Sequence, residues 1–110
     1  MAKTPEGEVK KKITALLKQR NVYYFMPVQT GYGSTGLDYH CCYRGRAFFI
    51  EAKAPGKKPT DRQWDTIVKV RAAGAMAFVV YDAETLAPVE QWLDLVDQET
   101  LHVQLARPRQ

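Results

Sequence analysis

Four consecutive apolar residues, Ala47-Phe48-Phe49-Ile50, restrict the fold of this chain more than any other stretch. Successive side chains of a strand point to opposite faces, so such a run needs apolar cover above and below the sheet. It reads as a central buried strand. The same strand runs on into Glu51-Ala52-Lys53, which puts two charges on one face where the apolar run ends. Charges in that position need partners or a metal ion, because desolvating them unpaired is costly.

Neighbouring segments supply what that strand requires. Residues 5–20 read as a helix: Thr4 can cap it, Pro5 suits its first position, and Val9, Ile13, Leu16 and Leu17 recur on one face, with Lys10, Lys11 and Lys12 mostly off it. Residues 22–28, rich in β-branched and aromatic side chains, read as a strand. Residues 38–43 and 46–54 read as a hairpin turning at Arg44-Gly45. The stretch from Pro55 to Pro59 breaks the chain, and Thr60 then caps a helix reaching about Ala73, with Trp64, Ile67, Val68 and Arg71 in helical spacing and Gly74 at its end. Residues 75–81 are another apolar strand. Glu84 to Val96 is expected to hold a last helix that Pro88 breaks early, and Arg107-Pro108-Arg109-Gln110 a loose basic tail. The order, α-β-β-β-α-β plus a C-terminal helix, is that of an α/β fold: one mixed β-sheet flanked by helices.

At 110 residues there is room for one compact core, so residues 1–110 are expected to form a single domain. The apolar fraction of 45% and charged fraction of 25% are ordinary for a soluble protein, and no apolar run approaches the roughly 20 residues that span a bilayer. Neither a membrane partner nor a signal peptide is expected, and the cytoplasm is the expected compartment. Cys41 and Cys42 are the only cysteines; adjacent in a strand, they point to opposite faces and are poorly set to bond to each other, which suits a reducing compartment. With His40 beside them and His102 far along the chain, they do not supply four zinc ligands. The net charge of +4 and pI near 9.1 favour a polyanionic partner.

Gly31, Gly33 and Gly36 satisfy the spacing of a dinucleotide-binding loop, but that motif needs a helix immediately afterwards to bring its N-terminus to the pyrophosphate. The next residues, Leu37 to Tyr43, are strand-like, so no nucleotide cofactor is expected. The Walker loop fails too, with Leu37 where its lysine should stand.

The chemistry lies in the hairpin. If Arg44 and Gly45 form a two-residue turn, Tyr43 faces Arg46, and counting outward sets Asp38 opposite Glu51. Opposed side chains share a face with Cβ atoms about 5 Å apart, close enough for both carboxylates to bind one divalent cation. Lys53, two residues past Glu51, projects from the same face. A bound Mg²⁺ or Mn²⁺ would neutralise the acids, polarise a phosphoryl oxygen and lower the pKa of a coordinated water. The lysine would orient that water or stabilise charge at phosphorus. Arg-Gly is not the preferred pair for a type I′ turn, and a bulged three-residue loop would instead set Ile50 opposite Asp38.

Gly36-Leu37-Asp38, Phe49-Ile50-Glu51-Ala52-Lys53-Ala54-Pro55-Gly56 and Pro59-Thr60-Asp61-Arg62-Gln63 together resemble the virus-type replication-repair nuclease (VRR-NUC) domain of the PD-(D/E)xK nuclease superfamily, over about residues 4–81. The resemblance implies a restriction-endonuclease-like core and a Mg²⁺- or Mn²⁺-dependent endonuclease, with Asp38 and Glu51 on the metal and Lys53 assisting catalysis. Gln63 matches the family's glutamine near the active site, and is also an ordinary polar residue for a first helical turn. A first-helix glutamate of the family reaches the metal; here Glu6, three and seven residues before Val9 and Ile13, is favoured, with Glu8 in reserve. Either glutamate also fits as favourable charge at a helix N-terminus. Leu37 departs from the superfamily, which usually has proline there.

Stand-alone viral members of the family form homodimers that act on branched DNA, including Holliday junctions, whereas eukaryotic members carry the module inside larger DNA repair enzymes. For this chain the resemblance implies a structure-selective endodeoxyribonuclease, a phosphodiester hydrolase working as a homodimer in a bacterial or phage-infected host cell. Trp92, Leu93 and Leu95 suit a dimer interface or packing on their own sheet, and Tyr23, Tyr24 and Tyr32 suit stacking on exposed bases or packing in the core. Two other functions fit the same residues: a non-catalytic DNA-binding module of this fold, and a nuclease acting on linear or single-stranded DNA.

Overall fold

The structure is a computed structural model and describes residues 4–28 and 36–106, with side chains to residue 99. Seven elements succeed one another: α1 (Pro5–Gln19), β1 (Tyr23–Phe25), β2 (Tyr39–Tyr43), β3 (Arg46–Ala52), α2 (Asp61–Ala72), β4 (Met76–Val80) and α3 (Ala83–Ala106). They form an α/β fold with a four-stranded mixed sheet in the order β1-β2-β3-β4, antiparallel except for the parallel β3–β4 pair. No helix among the described residues is long and apolar enough to cross a membrane.

Local chemistry explains most boundaries. Thr4 caps α1 by accepting a hydrogen bond from the Gly7 N–H at 2.9 Å, Pro5 opens it, and Asn21 (φ 57°) turns the chain out. Thr60 and Gln63 close a reciprocal capping box on α2, and Gly74 (φ 100°) follows its C-terminal end. The hairpin turns at Arg44-Gly45, with φ of 49° and 83°, so both central residues adopt the left-handed geometry of a type I′ turn. The register is therefore Tyr43 against Arg46 through Tyr39 against Ile50, and the bulged alternative is excluded.

Two expectations need correction. β1 has three residues rather than seven, because it is an edge strand paired only with β2, and Pro27 has no N–H to extend the ladder. Pro88 does not break the last helix, which runs unbroken from Ala83. Proline there forfeits one hydrogen bond, to the Glu84 carbonyl, while the buried Val89, Leu93 and Val96 anchor the turns beyond.

The sheet separates two apolar layers. On one face Tyr39, Cys41, Tyr43, Phe48, Ile50 and Ala52 pack against α1 and α3 in the main core. The other face carries Leu37, Phe49, Ala77 and Val79, covered by Ile67 and Val70 of α2. Phe48 and Ile50 are fully buried and Phe49 half-buried, as a central strand requires, although Ala47 at the turn end is exposed. Trp64, Ile67 and Val68 stand on one helix as their spacing implies, and α2 turns Ile67 inward and leaves the other two exposed. Cys41 is buried and Cys42 exposed, on opposite faces and unbonded.

Candidate active site

The hairpin register brings Asp38 and Glu51 together one step beyond the Tyr39–Ile50 pair, where the β2–β3 ladder ends. Backbone amides left unpaired there are satisfied by the two acids reciprocally. The Asp38 N–H donates to Glu51 Oε1 at 3.3 Å, and the Ala52 N–H donates to Asp38 Oδ2 at 2.8 Å. Glu51 is only 2% exposed, the one buried charged residue among those described. Burial, then the Asp38 charge, raises its pKa to about 7; Lys53 and the Asp38 N–H pull the other way, and Glu6 adds to the rise. A carboxyl group in this setting is poised to gain or lose a proton near neutrality, or to welcome a cation.

Lys53 comes next on the same strand line, its N–H bonded to the Val80 carbonyl at 2.9 Å, which joins it to the end of β4. Its ammonium forms no ion pair with a described carboxylate, although its charge is felt at Glu51. α1 closes the other side. Lys10 Nζ lies 3.6 Å from Asp38 Oδ1 and 3.4 Å from Glu6 Oε2, so one ammonium bridges the first-helix glutamate and the hairpin aspartate. α1 is locked at this height by Tyr39, whose hydroxyl donates to the Lys10 carbonyl at 3.0 Å and meets Thr14 Oγ1 at 2.9 Å.

The two first-helix glutamates thus part company. Glu6 joins the Asp38 cluster through Lys10, while Glu8 lines a cleft of about 210 Å³ with Lys12, Pro55, Val80 and Tyr81, on the Lys53 side of the site. Gln63 is engaged in the capping box: its Oε1 accepts from the Thr60 N–H at 2.9 Å, and among the described residues no hydrogen bond joins it to Asp38 or Glu51. Lys10 is the residue that sequence reasoning missed, having been set off the inward face with Lys11 and Lys12. Its spacing of four from Glu6 was the available signal, since residues four apart on a helix are neighbours.

Among the described residues no three of His, Cys, Asp and Glu gather closely enough to hold a metal ion unaided. The donor set of Asp38 and Glu51 nonetheless fits a hard divalent cation. Mg²⁺ retains waters and takes one or two carboxylates together with substrate phosphates, rather than a protein-only cage. His40 packs against the rings of Phe25 and Phe49 and belongs to no ligand cluster among the described residues.

The glycine-rich loop, including Gly31, Tyr32 and Gly33, lies outside the described residues, as do the His102 side chain and the Arg107–Gln110 tail. Gly36 is followed by β2 and not by a helix, which removes the structural context of a dinucleotide site. Of the aromatic residues proposed for contacts, Trp92 packs on Phe48 and Phe78 with ring centroids 4.9 and 6.1 Å away. Leu93 is fully buried, Leu95 is exposed, Tyr24 leans on Tyr39, and Tyr23 is exposed. Comparison with protein-family models, with curated proteins and with solved structures finds no match for this chain.

Proposed function

We propose that this chain is a Mg²⁺- or Mn²⁺-dependent endonuclease with a PD-(D/E)xK core, of the VRR-NUC kind, that hydrolyses phosphodiester bonds in branched DNA. One observation carries the reading: Glu51, 2% exposed and with its pKa raised to about 7, faces Asp38 at the end of a β-ladder with Lys53 two residues on. A buried acid beside a second, partly exposed one is destabilising by itself and is understandable as a cation-binding device. The net charge of +4 supports a polyanionic substrate.

Asp38 and Glu51 would hold the ion, and when bound it supplies Lewis-acid polarisation of a phosphoryl oxygen and a more acidic water. Lys53 contributes a fixed ammonium toward the extra negative charge that develops on the non-bridging oxygens as water attacks phosphorus. The attacking water gives up a proton to solvent as the new P–O bond forms and the bond to the leaving oxygen breaks, and that oxygen takes up a proton from solvent, so one water is divided between the two products. Lys10 supplies countercharge to Asp38 and Glu6 before the ion arrives. Glu6 belongs to this site as an outer acid, with Glu8 in reserve on the Lys53 side; Gln63 acts as a helix cap and, through its amide N–H groups, as a hydrogen-bond donor to DNA. A homodimer would offer two such sites to a two-fold junction, in the cytoplasm of a bacterial or phage-infected cell.

The test is incubation of labelled four-way junction, flap, nicked and linear DNA with the protein and Mg²⁺ or Mn²⁺, beside Asp38→Asn and Lys53→Ala. Cleavage that needs the metal and is lost in both variants supports the reading. Equal cleavage by Asp38→Asn would overturn the site, and metal-independent binding without cleavage would favour a DNA-binding module.

A further inference from the structure

We infer that the cleft formed by residues 56–59, the first turn of α2 and β4 binds an unpaired nucleotide of the DNA substrate, with its base against Trp64 and its phosphates at Lys57 and Lys58. The inference deepens the nuclease reading and rests on it for the position of the scissile bond. The cleft measures about 500 Å³, within the ~300–1,000 Å³ range of small-ligand sites, and Lys57, Lys58, Pro59, Trp64, Val79 and Tyr81 line it.

Three features point to this occupant. Trp64 is 40% exposed on a helix whose Ile67 is fully buried, so it contributes an apolar surface that the core does not use. Lys57 and Lys58 are exposed and pair with no described carboxylate, as is also true of Lys11, Lys12 and Lys18, but these two stand on the rim of a cleft that holds Trp64 and Tyr81. Uncompensated cations beside aromatic rings are the combination that holds single strands, phosphates on the cations and bases on the π-faces.

The third feature is position. Val79, on the wall of the cleft, is the register partner of Glu51 in the parallel β3–β4 pair. The Lys53 N–H bonds to the Val80 carbonyl, bringing Tyr81 beside Lys53. The cleft therefore opens one strand spacing, about 4.8 Å, from the candidate catalytic residues. A base still stacked in a duplex cannot enter such a cleft, while one displaced at a flap or branch point can. The lining offers rings, aliphatic surface and cations, which favours tolerance of base identity and selection for unpaired DNA.

The experiment measures binding of a short labelled oligothymidylate in EDTA, by anisotropy and by quenching of tryptophan fluorescence. Trp64→Leu is expected to weaken binding about tenfold, with affinity recovered in Trp64→Phe but the quenching absent. Replacing both Lys57 and Lys58 by Gln is expected to flatten the dependence of log affinity on log salt by about 1.4, the value for two single-strand phosphates. An oligonucleotide of abasic residues should bind the unmutated protein about tenfold more weakly and without quenching. Unchanged affinity in Trp64→Leu, or equal binding of the abasic strand, would overturn the inference. Because no metal is present, the result is separate from cleavage. Quenching lost in Trp64→Leu without cleavage of any DNA would support this cleft and overturn the nuclease reading. Junction cleavage with no effect of Trp64 on binding would do the reverse.

Discussion

The β2–β3 hairpin meets an important carboxylate at each end, Asp97 of α3 at the turn and its own Glu51 at the open end, and their surroundings are opposite. At the turn, Asp97 of α3 accepts from the Tyr43 hydroxyl at 2.6 Å, from Arg44 Nε at 2.7 Å and from an Arg20 guanidinium nitrogen at 3.1 Å. The Tyr43 hydroxyl, then the two arginines, hold its pKa below the usual carboxylate value. At the open end, Glu51 is almost wholly buried, feels the charge of Asp38 beside it and is raised to about 7. One end is a satisfied latch joining α1, the hairpin and α3. The other keeps an electrostatic conflict that Lys10 and Lys53 only partly relieve, and such conflicts gather where a ligand completes the arrangement.

Glu51→Gln should break this contrast most sharply. With the nuclease reading, loss of the charged ligand is expected to reduce metal-dependent cleavage by about 10²–10³-fold, measured on whichever DNA the unmutated protein cuts best. Stability should move the other way. Because the folded state binds this proton more tightly than the unfolded chain, Glu51 favours folding fully below its ordinary value of 4.5, and that contribution fades as pH rises through about 7. Thermal melts should therefore show the variant more stable than the unmutated protein above pH 7, on the order of 2 kcal/mol, and the two converging below pH 4.5. Mg²⁺ or Mn²⁺ should raise the melting temperature of the unmutated protein at pH 8 and leave Glu51→Gln unmoved. A variant less stable than its parent at pH 8 would count against the conflict.

Asp97→Ala tests the satisfied end. It takes one acceptor away from three donors, and with solvent screening of these partly exposed groups the loss is about 1 kcal/mol, or roughly 4–8 °C in melting temperature. The folded-state pKa is depressed here, so the contribution is present above the ordinary 3.8 and lost as pH falls through the lower folded value. Parent and variant should approach one another in strong acid, the reverse of the Glu51 pattern. Cleavage per folded molecule should be unchanged.

Lys10→Gln is a smaller perturbation at the open end. The ammonium competes with an incoming cation for Asp38 Oδ1, so its removal should destabilise the metal-free protein by about 0.5 kcal/mol yet tighten Mn²⁺ binding in the absence of DNA. Calorimetric titration reads the second effect. Weaker Mn²⁺ binding would make Lys10 a support of the site instead of a placeholder.

The two ends were not equally legible in the sequence. The open end came from counting: a two-residue turn and the period of two put Asp38 opposite Glu51, with Lys53 on the same side. The latch was invisible, because Asp97 is remote in sequence from Tyr43, Arg44 and Arg20, and nothing local signals which helix residue will reach a turn. The same limit hid Lys10, whose partner Asp38 lies on another element. The exposure of Trp64 was not legible, because helical spacing fixes which residues share a face, not which face the sheet covers. Pro88 was overweighted because a single missing hydrogen bond near a helix start is outweighed by three buried anchors downstream.

Arg44 is where the latch compensates a local defect, and it predicts the smallest effect. A non-glycine residue at φ 49° is strained, and Asn is better suited to the first position of a type I′ turn. Arg44 remains there with its guanidinium bonded to Asp97 and 5.4 Å from the Tyr43 ring centre. In Arg44→Asn the backbone gain and the lost contacts should nearly cancel, leaving stability close to that of the parent. In the Asp97→Ala background the ion pair is already gone, so the same substitution should become clearly stabilising. A double-mutant cycle by chemical denaturation measures that coupling. Equal effects in both backgrounds would mean that Asp97 does not hold the turn and acts only through Tyr43 and Arg20.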